Sequence, residues 1–360
     1  MDALDKRILT AMQADLPLVE RPFEALAERL DVGPDDLQAR VRRMAEAGLI
    51  RRIGPVFDSG RLGYQSTLVA ARVRPEQLDR AAERVGRLPG VTHNYERRGP
   101  YNLWFTLTVP PSGDLDRALD RLRAETGAEA MHSLPALARY KIRATFDLDG
   151  SGEAAATAGG MRGGQSCPPR ETPQTRGVQD GTPRTKTPPR EAPVHLTEAQ
   201  RTLVRAVQDG LPVEAEPFVP VAEAAGWTVR AVLDQVRAWL DAGVVRRFGA
   251  VVRHRAAGVR ANAMAVFRVA PSRIDAAGRA LASHPDVTHC YRRPPLPDFP
   301  YTLYAMVHGE SEEAVRERVE AMAGEIDADA WVALFSVREF KKTSMRYFTE
   351  GRGGSRATMP

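Results

Sequence analysis

Two short stretches of this chain carry the same reactive side chains at the same spacing. The first is Val91-Thr92-His93-Asn94-Tyr95-Glu96-Arg97-Arg98, followed by Tyr101-Asn102-Leu103-Trp104-Phe105-Thr106. The second is Val287-Thr288-His289-Cys290-Tyr291-Arg292-Arg293-Pro294, followed by Tyr301-Thr302-Leu303-Tyr304-Ala305-Met306. Side chains alternate across a strand with a period of two. His93, Tyr95 and Arg97 are therefore predicted to share one face, as are His289, Tyr291 and Arg293. An imidazole, a phenol and a guanidinium on one face can give and take protons and hold carboxylates. A polar, solvent-facing strand edge would show the same pattern, and duplication copies a neutral pattern as readily as a working one. By the same alternation, Cys290 is predicted to point to the opposite face.

The elements that must position these residues are themselves duplicated. Leu16-Pro17 matches Leu211-Pro212, and Pro22-Phe23 matches Pro217-Phe218. Ala47-Gly48-Leu49-Ile50-Arg51-Arg52-Ile53-Gly54 matches Ala242-Gly243-Val244-Val245-Arg246-Arg247-Phe248-Gly249. The offset of about 195 residues indicates one fold repeated, not a short-period solenoid. Between the copies, residues 150–193 are Gly, Pro, Ser, Thr, Ala and Arg with almost no large apolar side chain. Such a stretch cannot bury enough surface to offset its ordering entropy, so a disordered linker is predicted.

Each half reads in two parts. Leu4, Ile8, Leu9 and Met12 recur at helical spacing, Pro22 opens a second helix, and Leu37, Val41 and Met44 mark a third, stopped by Gly48. A short strand at 50–56 then suggests a winged helix-turn-helix. The rest of the half reads strand, helix, strand, strand, helix, strand, the βαββαβ order of a ferredoxin-like domain. The second half repeats this. The predicted class is α+β, with winged helix-turn-helix parts at 1–60 and 194–255. Ferredoxin-like parts occupy 61–149 and 256–348, and 349–360 is a flexible tail.

Composition sets the outer limits. A chain of 360 residues, 43 % hydrophobic, can build two or more cores. No apolar run is long enough for a membrane span. The start, Met1-Asp2-Ala3-Leu4-Asp5-Lys6, has no signal-peptide pattern. Two cysteines, Cys167 and Cys290, are too few for a disulfide framework or a cysteine metal site, so a reducing cytoplasm fits. Lysine occurs only at positions 6, 141, 186, 341 and 342, whereas arginine is abundant. Arginine suits bidentate binding of carboxylate or phosphate, although genomic codon bias explains most of such an excess.

A winged helix-turn-helix joined to a ferredoxin-like domain resembles the Lrp/AsnC regulator family, which binds DNA through the third helix and senses amino acids. The third helix here offers Gln38, Arg40, Arg42 and Arg43, and its counterpart offers Thr228, Arg230, Asp234, Gln235 and Arg237. The second set has few basic groups, and two divergent halves read a palindrome poorly. Further residues resemble a narrower family, the siroheme decarboxylases, built on the Lrp/AsnC plan from two related subunits that are fused in some members. Those residues are Thr92-His93-Asn94-Tyr95, the run Tyr101 to Thr106, and Leu134-Pro135-Ala136-Leu137 with Tyr140-Lys141-Ile142. In the second half they are His289 to Pro294, Met306-Val307-His308-Gly309, and Phe335 to Lys342 before Met345-Arg346-Tyr347-Phe348.

That resemblance implies a lyase removing CO2 from two acetate side chains of siroheme, giving 12,18-didecarboxysiroheme for haem d1 or an alternative haem route. It implies no separate cofactor, because the iron arrives with the substrate. His93 and His289 become the candidate acids or axial iron ligands. Tyr95 and Tyr291 would supply hydrogen bonds or a secondary proton path, and Arg97, Arg292 and Arg293 would hold carboxylates. Arg51, Arg246 and Arg247 could reach propionates from the wing, and Lys341 could line the pocket mouth; each is equally a solvated surface charge. His308, beside Gly309, is expected to be structural. The expected partners are the substrate and the other half or a second chain, with no specific DNA and no membrane. The alternatives are a DNA-binding regulator that senses a small acid or tetrapyrrole, and a non-catalytic tetrapyrrole carrier.

Overall fold

The computed structural model describes residues 1–142, 192–252 and 261–349. Apart from its last two residues the predicted linker lies outside the described residues, as does the predicted tail beyond residue 349.

The first half opens with three helices, α1 (Ala3–Ala14), α2 (Pro22–Leu30) and α3 (Pro34–Glu46). A reciprocal cap starts α1: Asp5 N–H donates to the Asp2 carboxylate at 2.8 Å, and Asp2 N–H to the Asp5 carboxylate at 3.1 Å. Ile8, Leu9 and Met12 then bury one face. Pro22 occupies the first turn of α2, where a missing N–H leaves nothing unpaired. Gly48, at φ 70°, takes the chain past the end of α3 in a left-handed conformation that a side chain would strain. There follow β1 (Ile50–Phe57), β2 (Gln65–Arg72), α4 (Leu78–Gly86), β3 (Val91–Arg97), β4 (Leu103–Val109), α5 (Leu115–Thr126), β5 (Ala130–Leu134) and β6 (Ala138–Ile142). The predicted final strand is thus split in two, with Pro135, which has no N–H for a ladder, at the break.

The second half repeats the plan. Its elements are α6 (Glu198–Val207), α7 (Val219–Ala225), α8 (Val229–Asp241), β7 (Val245–Val252), β8 (Ala261–Arg268), α9 (Ile274–Ser283), β9 (Val287–Arg292), β10 (Leu303–Gly309), α10 (Glu312–Glu325) and β11 (Ala330–Lys342). Among the described residues no helix is long and apolar enough to cross a membrane.

Pairing interlocks the halves. One sheet has the order β5-β2-β4-β3-β11-β8-β10-β9-β6. Its two ferredoxin-like quarters, β5-β2-β4-β3 and β11-β8-β10-β9, are joined by exchanged last strands. Residues 330–335 of β11 pair with β8, and 336–342 cross over to pair with β3 of the first half. In return β6, from the first half, pairs with β9 of the second. The wings correct the reading that each half carries its own: β1 and β7 pair with each other, Gly54 opposite Gly249. A single strand leaves its backbone groups unpaired, and the repeat supplies the second strand from the other copy. A Cβ at Gly249 would lie 2.2 Å from the Met12 carbonyl oxygen, so only glycine lets α1 of one half lie against β7 of the other.

One core unites both winged-helix parts, with Phe23, Val41, Phe218, Trp239 and Phe248 fully or almost fully buried. Each ferredoxin-like unit packs its helices on the outer face of its part of the sheet. The inner faces meet through Ala70, Trp104, Leu134, Met264, Tyr304 and Leu334, and part around a cavity.

Candidate active site

The cavity measures about 580 Å³ and is lined from both ferredoxin-like units. His93, Tyr95 and Arg97 reach it from β3, and His289, Tyr291 and Arg293 from β9 and the residue after it. The intervening residues turn the other way, as alternation requires. The Asn94 amide donates to the Ala82 carbonyl at 2.8 Å, and the Cys290 thiol lies 3.7 Å from the Gly278 carbonyl. Burial pushes that thiol up to about 12, so it stays protonated, and it faces away from the cavity.

The two triplets are near-copies in space. The His93 and Tyr95 rings stack with centroids 6.3 Å apart, those of His289 and Tyr291 6.2 Å apart. The Arg97 guanidinium lies 5.3 Å over the Tyr95 ring, that of Arg293 4.9 Å over Tyr291. Arg97 donates to the Leu334 carbonyl at 2.8 Å, and Arg293 to the Leu134 carbonyl. Arg97 therefore ties the first half to β11 of the second, and Arg293 ties the second half to the end of β5 of the first. Burial lowers both guanidiniums to about 10, which leaves them cationic at neutral pH in a site that has removed most of their water. Nδ1 of each histidine meets the hydroxyl of the preceding threonine, 2.9 Å from Thr92 and 3.1 Å from Thr288.

The copies then diverge. The Thr92 hydroxyl continues to the Thr106 hydroxyl at 2.9 Å, whereas the Thr288 hydroxyl continues to Nε2 of His308 at 2.9 Å. Trp104 stands opposite Tyr95 in the ladder, and Tyr304 opposite Tyr291. The Tyr95 hydroxyl donates to the Glu339 carboxylate at 3.3 Å. The residue in register with Tyr291 on the crossed strand is Arg139 instead.

The other predicted cations are placed elsewhere. Arg292 alternates away from Tyr291 and is absent from the cavity wall. Arg246 grips the Asp58 carboxylate at 2.8 Å, and Arg247 donates to the carbonyls of Gln13 and Ala250 at 3.1 and 3.0 Å. Arg51 meets the Lys342 carbonyl at 3.4 Å. These three belong to the β1–β7 ribbon, whose pairing buries it among the winged helices. Lys341 donates to the carbonyls of Gly86 and Leu88 at 2.7 and 2.9 Å, at the C-terminal end of α4 on the outer face, and burial lowers its pKa. Its neighbour Lys342 lines the cavity. So does His308, expected to be structural, and so do Arg338, Glu339 and Tyr304. The alternation of β10 could have shown that Tyr304 and His308 share a face; that β11 crosses to the first half is not written in any local pattern.

Fold and site together define an Lrp/AsnC-type chain in duplicate, with its cavity between two interlocked ferredoxin-like units. The AsnC-like ligand binding domain pattern matches residues 61–141 and 256–341, and the siroheme decarboxylase NirDL-like HTH domain pattern matches 5–51 and 200–246. The siroheme decarboxylase of Hydrogenobacter thermophilus is 34 % identical over 345 residues, 96 % of this chain and 95 % of that protein. The chain belongs to the siroheme decarboxylase family. The crystal structure of the siroheme decarboxylase NirDL in co-complex with an iron-uroporphyrin III analogue superposes with a TM-score of 0.71 at 31 % identity, covering 97 % of this chain and 95 % of that one. A siroheme decarboxylase alpha subunit from Nitratidesulfovibrio vulgaris is 41 % identical over 149 residues, 41 % of this chain and 84 % of that protein.

Proposed function

We propose that this chain is a siroheme decarboxylase in which a two-subunit enzyme has been made covalent. It removes CO2 from two acetate side chains of siroheme to give 12,18-didecarboxysiroheme, which serves haem d1 or an alternative haem route. The observation that carries this reading is the doubled His-Tyr-Arg set on one cavity, with two buried guanidiniums. A buried cation needs an anion to offset its desolvation, and a polycarboxylate substrate supplies several.

The chemistry follows from the residue types. An acetate loses CO2 only as the ionised carboxylate, which Arg97 and Arg293 favour by charge. The electrons of the breaking C–C bond stay with the side-chain carbon, which must take a proton to become a methyl group. Each event consumes one carboxylate and one proton and releases one CO2. His93 and His289 are the donors whose ordinary range suits proton transfer near neutral pH, with Tyr95 and Tyr291 stacked beside them. The iron belongs to the substrate, and the same two imidazoles are the candidate axial ligands for it.

The regulator reading fares worse for a specific reason. On α3, Arg40 is held by Asp2, Asp5 and Asp36 at 2.7, 2.9 and 3.0 Å, and Arg43 donates to Asp5 at 3.0 Å. Arg42 donates to the Val213 carbonyl at 3.0 Å, and Arg237 of α8 to the Leu18 carbonyl. Cations held by carboxylates and by the other half are poorly placed to neutralise phosphates. Anaerobic incubation of the purified chain with siroheme, followed by mass analysis, tests the proposal. Loss of two CO2 is the expected result; siroheme recovered bound but unchanged would leave a carrier in place of the enzyme.

A further inference from the structure

Siroheme has no two-fold symmetry, whereas the cavity has a near two-fold set of His, Tyr and Arg. Something in the wall must therefore break the symmetry for the substrate to be held one way round. The ladder positions facing the two stacked tyrosines differ in that respect. On the first half the position is Trp104, whose sole donor, Nε1, is already paired with the Tyr101 carbonyl at 2.8 Å. On the second half it is Tyr304, only 2 % exposed, whose hydroxyl has no hydrogen-bond partner. A buried hydroxyl without a partner is destabilising, so its persistence calls for a reason. A second unpaired donor accompanies it. Nε of Arg293, whose guanidinium carbon lies 5.8 Å from the centre of the Tyr304 ring, is buried without a partner as well.

We infer that Tyr304 is a specificity-determining residue: its phenol donates a hydrogen bond to a carboxylate of the bound tetrapyrrole, and so selects one of the two orientations that the duplicated wall would otherwise permit. The inference rests on the proposed function, since it requires a polycarboxylate tetrapyrrole in this cavity. Trp104 offers no such donor, so a substrate turned about the pseudo-axis loses the contact. Burial raises the Tyr304 phenol above its ordinary range, with Arg293 opposing, which keeps it a proton-bearing donor at neutral pH. Phenylalanine at the same position would fill nearly the same space and remove only the hydroxyl.

The test is Tyr304→Phe in the full chain, with two measurements made beside the unaltered protein. Binding of iron-uroporphyrin III is followed by the absorbance change on titration, and stability by the thermal midpoint. A hydrogen bond to a charged group corresponds to a binding loss of about tenfold to a hundredfold. The expected result is such a weakening with a midpoint that is unchanged or raised, because the hydroxyl has no partner in the free protein. Equal binding in the two proteins overturns the inference and leaves the proposed function standing. A lowered midpoint also overturns it, since the hydroxyl would then be holding the fold. Failure of the unaltered protein to bind the iron tetrapyrrole counts against both readings.

Discussion

Replacing Arg97 by methionine should leave the fold nearly as stable and deprive the cavity of one substrate anchor. Burial lowers the Arg97 guanidinium well below the ordinary arginine range, to about 10. At about 1.4 kcal/mol per pH unit, keeping that cation in the folded chain costs on the order of 3 kcal/mol. Its hydrogen bond to the Leu334 carbonyl returns about 1.5–3 kcal/mol, and its place over the Tyr95 ring roughly 1 kcal/mol. These oppose one another almost completely. Methionine keeps most of the side-chain volume, so no large cavity opens. Because the folded-state pKa of this cation is depressed, the cost is fully present below about pH 10 and is relieved only as pH rises from there towards the ordinary arginine range. It is therefore constant across any neutral assay. The thermal midpoint of Arg97→Met should lie within about 5 °C of the unaltered protein. Affinity for iron-uroporphyrin III should fall by about a hundredfold, as when one partner of a desolvated ion pair is removed. A variant that binds the tetrapyrrole normally but melts more than about 10 °C lower would refute the reasoning. Arg97 would then be a strut between the halves and no anchor.

Three further outcomes are expected. His93→Ala and His289→Ala should each lower siroheme consumption by about 10²–10⁴-fold with an unchanged circular dichroism spectrum, the loss being greater for His289; full activity in both would remove the histidines from the mechanism. A shifted Soret band in one of the two would mark the iron ligand. Fragments 1–142 and 192–360, expressed together, should co-purify, because β6 and the second part of β11 each lie in the sheet of the other half; two monomers that ignore each other on mixing would contradict the interlocked sheet. No sequence-specific binding to the promoter region of its own operon is expected at near-physiological salt, and a nanomolar, salt-resistant footprint there would revive the regulator.

Much of this protein was legible in local pattern. Helical periodicity at Ile8, Leu9 and Met12, the proline opening α2 and the glycine closing α3 act within a few residues, and the structure keeps all of them. Alternation is equally local, so it correctly placed His93, Tyr95 and Arg97 on one face, their second-half counterparts likewise, and Cys290 on the other. The repeat also announced two similar units. What pattern could not carry was which strand lies beside which, because a strand edge pairs with any compatible edge. Only the tertiary structure shows β11 passing to β3 and β6 passing to β9; the first crossing brings Glu339 to Tyr95, and the second sets Arg139 in register with Tyr291. Only the pairing of β1 with β7 removes Arg51, Arg246 and Arg247 from the cavity wall, and only the neighbouring α4 gives Lys341 its carbonyl partners. A charged side chain reads the same in sequence whether it faces a substrate, a backbone oxygen or water. Its partner is fixed by contacts hundreds of residues apart, and those exist only once the two halves have exchanged strands.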